Sequence, residues 1–144
     1  MINGMFDSGA MPTLERMIQF TGRRHQLIAH NIANISTPYF KPLDLDTGAF
    51  QHQLADAIRR RRGSGNPQRG ELELRSTRQV RVRGQALEFR PGDKNEGILF
   101  HDRNNRSLEH IMQDLVENTT AHRMSIELLK SEFDLLETAI RERL

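Results

Sequence analysis

The sequence predicts a mainly α-helical protein, in which long N- and C-terminal helices form an antiparallel, coiled-coil-like pair around a loop-rich middle with a short helix and a few short β-strands. Three observations lead to this fold class. Apolar residues recur in alternating steps of four and three near both ends of the chain, as in helices that pack on other helices. Residues 71–90 alternate apolar with polar residues, which indicates strands. Turn-forming residues concentrate in 63–70 and 90–97, which indicates loops.

Length and composition fit one domain without disulfide or thiolate chemistry. The chain has 144 residues, of which 36% are hydrophobic and 28% charged, and it contains no cysteine. Any metal site would depend on histidine and carboxylate ligands. No stretch approaches the roughly 20 apolar residues of a transmembrane helix. The first residues lack the basic and apolar regions of a secretory signal peptide. We therefore expect no direct membrane insertion and no cleavable signal.

The first helix is predicted from Thr13 to Thr37. Residues 1–12 carry two glycines and a proline without a period, so we expect a mobile tail there. Thr37 precedes Pro38, which disfavours helical conformation at Thr37 and should end the helix. The seam, meaning the line of side chains that contacts the other helix, is polar at Thr21 and His25. Its apolar members are predicted to be Leu14, Ile18, Ile28, Ile32 and Ile35.

The middle combines a weaker helix over 47–61 with a basic, loop-rich insertion over 59–100. The helix is indicated by a stripe of Phe50, Leu54, Ala57 and Ile58. Residues 59–90 hold ten arginines against three glutamates, a local charge of +7, whereas the remaining residues sum to −5. We expect the middle to be small and poorly packed. Its basic loop is predicted to contain Arg59, Arg60, Arg61 and Arg62.

The last helix has the longest pattern in the chain. It is predicted to begin after Ser107, a suitable N-cap, with Glu109 favourably placed in the first turn. The helical core is thus expected to be discontinuous, over 13–58 and 101–144. The seam of the last helix is predicted to contain Leu108, Met112, Leu115, Ile126, Leu129, Phe133, Leu136 and Ile140, with Thr119 and His122 as its polar positions.

The two seams are polar at one level each. Antiparallel pairing would bring Thr21 opposite His122 and His25 opposite Thr119, in a single polar layer that fixes the register of the helices. The alternative is coincidence, because threonine and histidine are common at such positions.

Further apolar residues flank both seams. Met17 lies beside the first seam, and Val116, Leu128 and Leu135 lie beside the second. A two-helix hairpin offers them little to pack against. We therefore favour association with other chains over the alternative that the middle folds back and covers them.

The segment that ends the first helix is rich in amides. Asn31 and Asn34 are predicted to face away from the Ile28–Ile32–Ile35 seam, at the point where Pro38 redirects the chain. A solvated helix face would more usually carry Glu or Lys. We therefore expect a subunit-contact motif, not a catalytic one. Its members are Asn31, Ile32, Asn34, Thr37 and Pro38.

The same segment carries a resemblance to a known family. HNIANISTPYFKPLDLD, at residues 30–46, resembles the N-terminal signature of bacterial flagellar axial proteins, whose usual form runs N-N-I-A-N-x-x-T-P-G-Y-K. The continuation DLDTGAFQHQLADAI and the C-terminal helix resemble flagellar basal-body rod proteins of the proximal rod (FlgB) type. The resemblance covers residues 13–58 and 101–140. The chain departs from the pattern where the family has Gly-Tyr-Lys and this sequence has Tyr39-Phe40-Lys41, and where the family's Asp-Gly-Asn reads Asp102-Arg103-Asn104.

The resemblance implies a structural function. Such a protein would leave the cell through the flagellar type III export apparatus and polymerise through its terminal helices into the proximal part of the periplasm-spanning rod, which transmits torque from motor to hook. Its partners would be copies of itself, other rod proteins, and the ring and rod-base proteins of the basal body. No cofactor is implied.

Other function classes fit the residues less well. The arginine run could contact nucleic-acid phosphates, but it lacks interleaved aromatics, so we expect an acidic protein surface and no nucleic acid as its partner. His101 and His110 lie nine residues apart, which is not a metal-binding spacing, and no serine has a plausible His–Asp context. We therefore predict no catalytic, cofactor-binding or metal-binding residues. A coiled-coil adaptor or export chaperone remains an alternative, and assembly state would distinguish it.

Overall fold

The computed structural model describes residues 9–63, 72–93 and 108–142, and within these ranges the chain is mainly helical. Its three helices there are α1 (Met11–Ala33), α2 (Thr47–Gly63) and α3 (Leu108–Arg141). Four short strands accompany them: β1 (Leu43–Asp44), β2 (Val80–Arg83), β3 (Ala86–Phe89) and β4 (Gly92–Asp93). They form two antiparallel two-stranded sheets, β1 with β4 and β2 with β3.

Helices α1 and α3 pack together in antiparallel orientation, as the sequence predicts. A Cβ placed on Gly9 would lie 3.9 Å from Glu132, and one on Gly22 would lie 3.7 Å from His122. Position numbers thus rise along α1 while they fall along α3. With 34 residues against 23, α3 is longer than α1 by about 16 Å at the helical rise of 1.5 Å per residue.

Helix α1 begins and ends earlier than predicted. Met11 and Pro12 belong to the helix and are buried, so the predicted tail over 1–12 is wrong at those two residues, and residues 1–8 lie outside the described ranges. Proline is tolerated here because the first helical N–H groups have no intrahelical partner. The helix stops at Ala33 instead of Thr37. Asn34 is the C-cap, and its Nδ2 donates to the carbonyl of His30 at 2.9 Å, a local bond that competes with helix continuation.

The turn that follows places a bulky residue in an unfavourable backbone conformation. Tyr39 has φ 60° and is 76% exposed. This left-handed conformation is routine for glycine and costly for other residues. It is the position at which the flagellar pattern has glycine. A glycine at this position would adopt the same backbone without strain.

The middle segment contributes most of the main hydrophobic core, so the expectation of a poorly packed insertion is wrong for its described residues. Phe20 of α1 stacks on Phe50 of α2 with ring centroids 4.0 Å apart, and Phe89 meets Phe20 edge-on at 5.8 Å. Leu72 and Leu74 are buried without forming a strand. The buried cluster comprises Phe20, Leu27, Leu45, Phe50, Leu54, Ala57, Leu72, Leu74 and Val80.

The second helix is confirmed, and it extends past the predicted domain boundary at 59. Helix α2 runs to Gly63, so Arg59–Arg62 lie on its last turns and not in a loop. Arginine is a good helix former, and cationic side chains are favourable at a helix C-terminus. Two of the predicted strands in 71–90 are present as the β2–β3 hairpin, which turns at Gly84 with φ 58°. The β1–β4 pair was not predicted.

The seam of α3 is rotated by about one residue from its predicted position in the first half of the helix. The buried residues of α3 are Ile111, Asn118 and Ser125, spaced by seven. Asn118 contacts α1 beside Gly22, because its amide donates to the carbonyl of Thr21 at 2.9 Å. Of the predicted seam residues, Leu14 and Ile28 are buried. Seven others are half-buried: Ile18, Ile32, Ile35, Leu115, Ile126, Leu129 and Leu136. The exposed ones are Leu108, Met112, Phe133 and Ile140.

Candidate functional site at the junction of the three helices

Three polar side chains of α1 are buried where this helix meets α3 and the middle segment. Thr21, Arg24 and Asn31 are 5%, 7% and 3% exposed. A buried polar group is costly unless it is hydrogen-bonded, so each must have a partner. The partners lie far away in the sequence and join α1 to the rest of the chain.

Thr21 forms the predicted polar layer with α3. Its Oγ1 lies 2.8 Å from Nδ1 of His122, which confirms that these residues face each other. The hydroxyl donates to the carbonyl of Met17 at 2.7 Å. Which of the two groups donates in the Thr21–His122 hydrogen bond depends on the tautomer of the His122 ring. His25, expected in the same layer, is exposed, and Asn118 takes its place by donating to the Thr21 carbonyl at 2.9 Å.

Arg24 ties α1 to β1 and α3 through two carboxylates. Its Nε and Nη2 donate to the two oxygens of Asp44 at 3.0 and 2.9 Å, and Nη2 also donates to Asp114 at 2.9 Å. Burial alone lowers the pKa of Arg24, but the hydrogen bonds and charges of Asp44 and Asp114 outweigh it and raise that pKa above its ordinary value. The guanidinium therefore stays charged and holds three elements together.

Asn31 binds the backbone of β1. Its Nδ2 donates to the carbonyl of Leu43 at 2.8 Å, and the N–H of Leu43 donates to its Oδ1 at 3.1 Å. The expectation that the Asn31 amide faces outward to another subunit is therefore wrong, because both ends of the amide are used inside the chain. Asn34 caps α1, while Thr37 and Pro38 are exposed and Ile32 is half-buried. A role of these four residues in subunit contact stays a prediction.

A groove of about 860 Å³ lies between α1, α2 and α3 beside this junction. Residues of α2 and α3 both line the groove, and so do Phe20, Thr21 and Arg24 of α1. Its apolar lining includes Met17, Phe20, Leu54 and Ile58. A space of this size and lining can receive side chains of another molecule.

The rim of the groove is acidic. Its ionisable lining residues are five carboxylates and one guanidinium, which gives the lining a net charge of −4. Asp46 accepts from the N–H of Ala49 at 2.9 Å and so caps the N-terminus of α2. Asp93 and Glu117 are exposed. The full set is Asp44, Asp46, Asp93, Asp114, Glu117 and Arg24.

The opposite end of α2 is basic. The carboxylate of Asp56 binds Arg59, and Arg60 donates to the carbonyl of Glu73 at 3.2 Å. Arg61 donates to the carbonyl of Gly9 at 2.9 Å and so holds the end of α2 against the start of α1. Arg62 is exposed. We call Arg59–Arg62 the basic end.

Helix α3 exposes an apolar ridge that winds around the surface not covered by α1, because each step of four residues advances about 40° beyond a full turn. The residues follow one another at steps of four, a row that is interrupted only by Thr120. Such i±4 rows are the ridges that fit the grooves of a second helix. The apolar members and their exposed fractions are Leu108 at 48%, Met112 at 43%, Val116 at 65%, Met124 at 60% and Leu128 at 46%. Leu135, also predicted to lack cover, is 64% exposed.

The described residues contain neither a metal-ligand cluster nor a membrane-spanning helix. They contain no group of three or more histidine or acidic side chains arranged to hold a metal ion. No helix of this part of the chain is long and apolar enough for a membrane span. Ser107 and His101 lie outside the described residues. The predicted absence of catalytic and cofactor-binding residues stays a prediction.

Sequence reasoning missed Arg24, Asp114 and Asn118. Arg24 follows Phe20 by four positions and precedes Leu27 by three, so a charge inside an apolar stripe was the available signal. For Asn118 the signal was its spacing: it precedes Ser125 by seven residues on α3, so both residues occupy the same heptad position.

Comparison of the chain with protein-family models, with curated proteins and with solved structures finds no match.

Proposed function

We propose that the protein is a structural subunit of the bacterial flagellar basal-body rod, and that it polymerises into the proximal part that transmits torque from motor to hook. It would be exported through the type III apparatus, and the rod would cross the periplasm. Its partners would be copies of itself, other rod proteins, and the ring and rod-base proteins.

Two features of the chain support this proposal. The motif at residues 30–46 resembles the signature of flagellar axial proteins. The terminal helices pair in antiparallel orientation around the Thr21–His122 layer, and we regard this pair as coiled-coil-like. The motif region also has a structural role, because Asn31 and Asp44 both anchor β1 to α1.

The observation that carries the proposal is the exposed ridge of α3. Five large apolar side chains in one row, each more than two-fifths exposed, are unfavourable in water and favourable at an interface. A row at steps of four would pack on a neighbouring helix at an angle near −50°. A rod subunit needs such a lateral contact, since each copy must contact its neighbours through its helices.

Localisation tests the proposal directly. The protein should be present in purified basal bodies, and its absence there would overturn the proposal. The variant Val116→Asp should fold and be exported but should not form rods, because a carboxylate in the ridge would be desolvated on assembly. His110→Asp, at an exposed position about 120° around α3 from Val116, is the matched control and should assemble normally. Rods of normal length from Val116→Asp would exclude the ridge as a subunit contact.

A coiled-coil adaptor or export chaperone is the second candidate, because the ridge would also fit a single helix of a client protein. The two candidates differ in assembly state. A rod subunit should form open polymers as its concentration rises, whereas an adaptor should stop at a small oligomer of defined size.

A further inference from the structure

Helix α2 connects two surfaces of opposite charge. Its N-terminus lies at the acidic rim, where Asp46 caps it, and its C-terminus is the basic end. Thr47 and Arg60 are separated by about 20 Å along the helix at a rise of 1.5 Å per residue. The groove lining continues along α2 as far as Ile58, so the chain presents a negative groove and, directly beyond it, a positive helix end.

We propose that the groove of one copy binds the basic end of α2 of a second copy. This inference rests on the proposed function, because the contact that it identifies would be one between rod subunits. The occupant is a second copy because the same chain supplies both the net charge of −4 in the groove lining and the complementary arginines.

The lining suits arginine side chains. Met17, Leu54 and Ile58 offer apolar surface to their aliphatic stems, while the carboxylates of Asp93 and Glu117 accept from the guanidinium groups. Planar guanidinium groups bind carboxylates in a bidentate fashion, as Arg24 already does with Asp44 in this junction.

The contact is head-to-tail, since the groove and the basic end are different surfaces. A heterologous contact of this kind forms either a closed ring or an open helical filament. It leaves the ridge of α3 available for lateral contacts. The two surfaces would then supply the axial and lateral contacts of a polymer.

Charge reversal tests the contact on the full chain. One variant carries Arg59→Glu and Arg62→Glu at the basic end, and leaves Arg61 to hold Gly9. The other carries Asp93→Lys and Glu117→Lys at the groove. Each should self-associate at least about 100-fold more weakly than the unmodified protein at low salt, because like charges would face each other. A mixture of the two should recover association, because each mutated surface then meets its complement.

Sedimentation velocity at about 50 mM and about 500 mM salt would measure association, which high salt should weaken. Circular dichroism checks that each variant folds. Arg78→Glu with Arg81→Glu, the same charge change away from the basic end, should leave association unchanged.

Three results would overturn the inference: an unmodified chain that stays monomeric, reversals without effect, or a mixture that does not recover association. The proposed function would still stand if the protein were present in basal bodies. Recovery by the mixture together with absence from basal bodies would refute the proposed function alone.

Discussion

Replacing Arg24 with leucine would remove the cation that Asp44 and Asp114 share. The side chains of the three residues are only 9%, 13% and 19% exposed, so solvent would screen the two carboxylates poorly. Removing one partner of a buried ion pair costs about 3–5 kcal/mol, and the partial exposure of Asp114 favours the lower half of that range. We expect the free energy of unfolding to fall by about 3–4 kcal/mol.

Thermal unfolding followed by circular dichroism would measure this loss. An unfolding entropy of about 2.1 cal/mol/K per residue gives about 0.3 kcal/mol/K for a chain of this length, so Tm should fall by about 10–13 °C. Arg23→Leu is the matched control, because Arg23 is exposed and donates only to Gln26 among the described residues. It should change stability by less than about 0.5 kcal/mol. Equal effects at positions 23 and 24 would refute the reasoning.

The pH dependence of the stability that Arg24→Leu loses follows from the pKa of Arg24. That pKa is raised in the folded state, so the stabilisation is fully present below the ordinary arginine pKa and is lost only as pH rises through the raised value. The stability difference between the protein and Arg24→Leu, measured by urea unfolding, should therefore be constant from about pH 6 to about pH 10. A difference that disappears within that window would show that Arg24 is not the stabilising charge.

Three further changes have expected outcomes, each measured as a change in the urea midpoint. Asn31→Ala should destabilise the monomer by about 2–3 kcal/mol, because it leaves a buried N–H and C=O without partners, whereas Asn34→Ala should cost less than about 1 kcal/mol. Thr21→Val should cost about 1–2 kcal/mol, and much less in a background of His122→Ala, since the hydrogen bond is then already lost. Tyr39→Gly should stabilise by up to about 1 kcal/mol, because glycine adopts the left-handed backbone without strain.

Conservative variants distinguish these specific interactions from nonspecific destabilisation of the fold. Thr21→Ser keeps the hydroxyl and should retain most of the stability that valine loses. Tyr39→Ala keeps a Cβ, so a gain equal to that of Tyr39→Gly would show that the exposed ring, and not the backbone, is responsible. Equal losses from the two asparagine variants would contradict the assignment of Asn31 to the fold.

The sequence predicts the helix pair and its polar layer because both depend on local periodicity. Apolar residues at steps of four and three predict the positions of α1, α2 and α3. The polar residues Thr21 and His122, which interrupt the two seams, lie opposite each other when the helices pair in antiparallel orientation. The predicted seam fails in the first half of α3, where Asn118 and Ser125 replace large apolar residues at the contact. A search for apolar side chains cannot find a seam whose buried positions are polar and small.

The role of the middle was missed because α1 is buried on two sides. One stripe of side chains on α1 contacts α3, as a helical hairpin requires. The other stripe contains Phe20, Arg24, Leu27 and Asn31 and faces the middle segment and α3. Considered alone, Arg24 indicates a solvated face, whereas the sequence predicts that Asn31 contacts another subunit. Their partners lie 20 and 90 residues away for Arg24 and 12 residues away for Asn31, beyond any helical period. The charge that a local pattern assigns to solvent is therefore the one that joins the three helices and forms part of the groove.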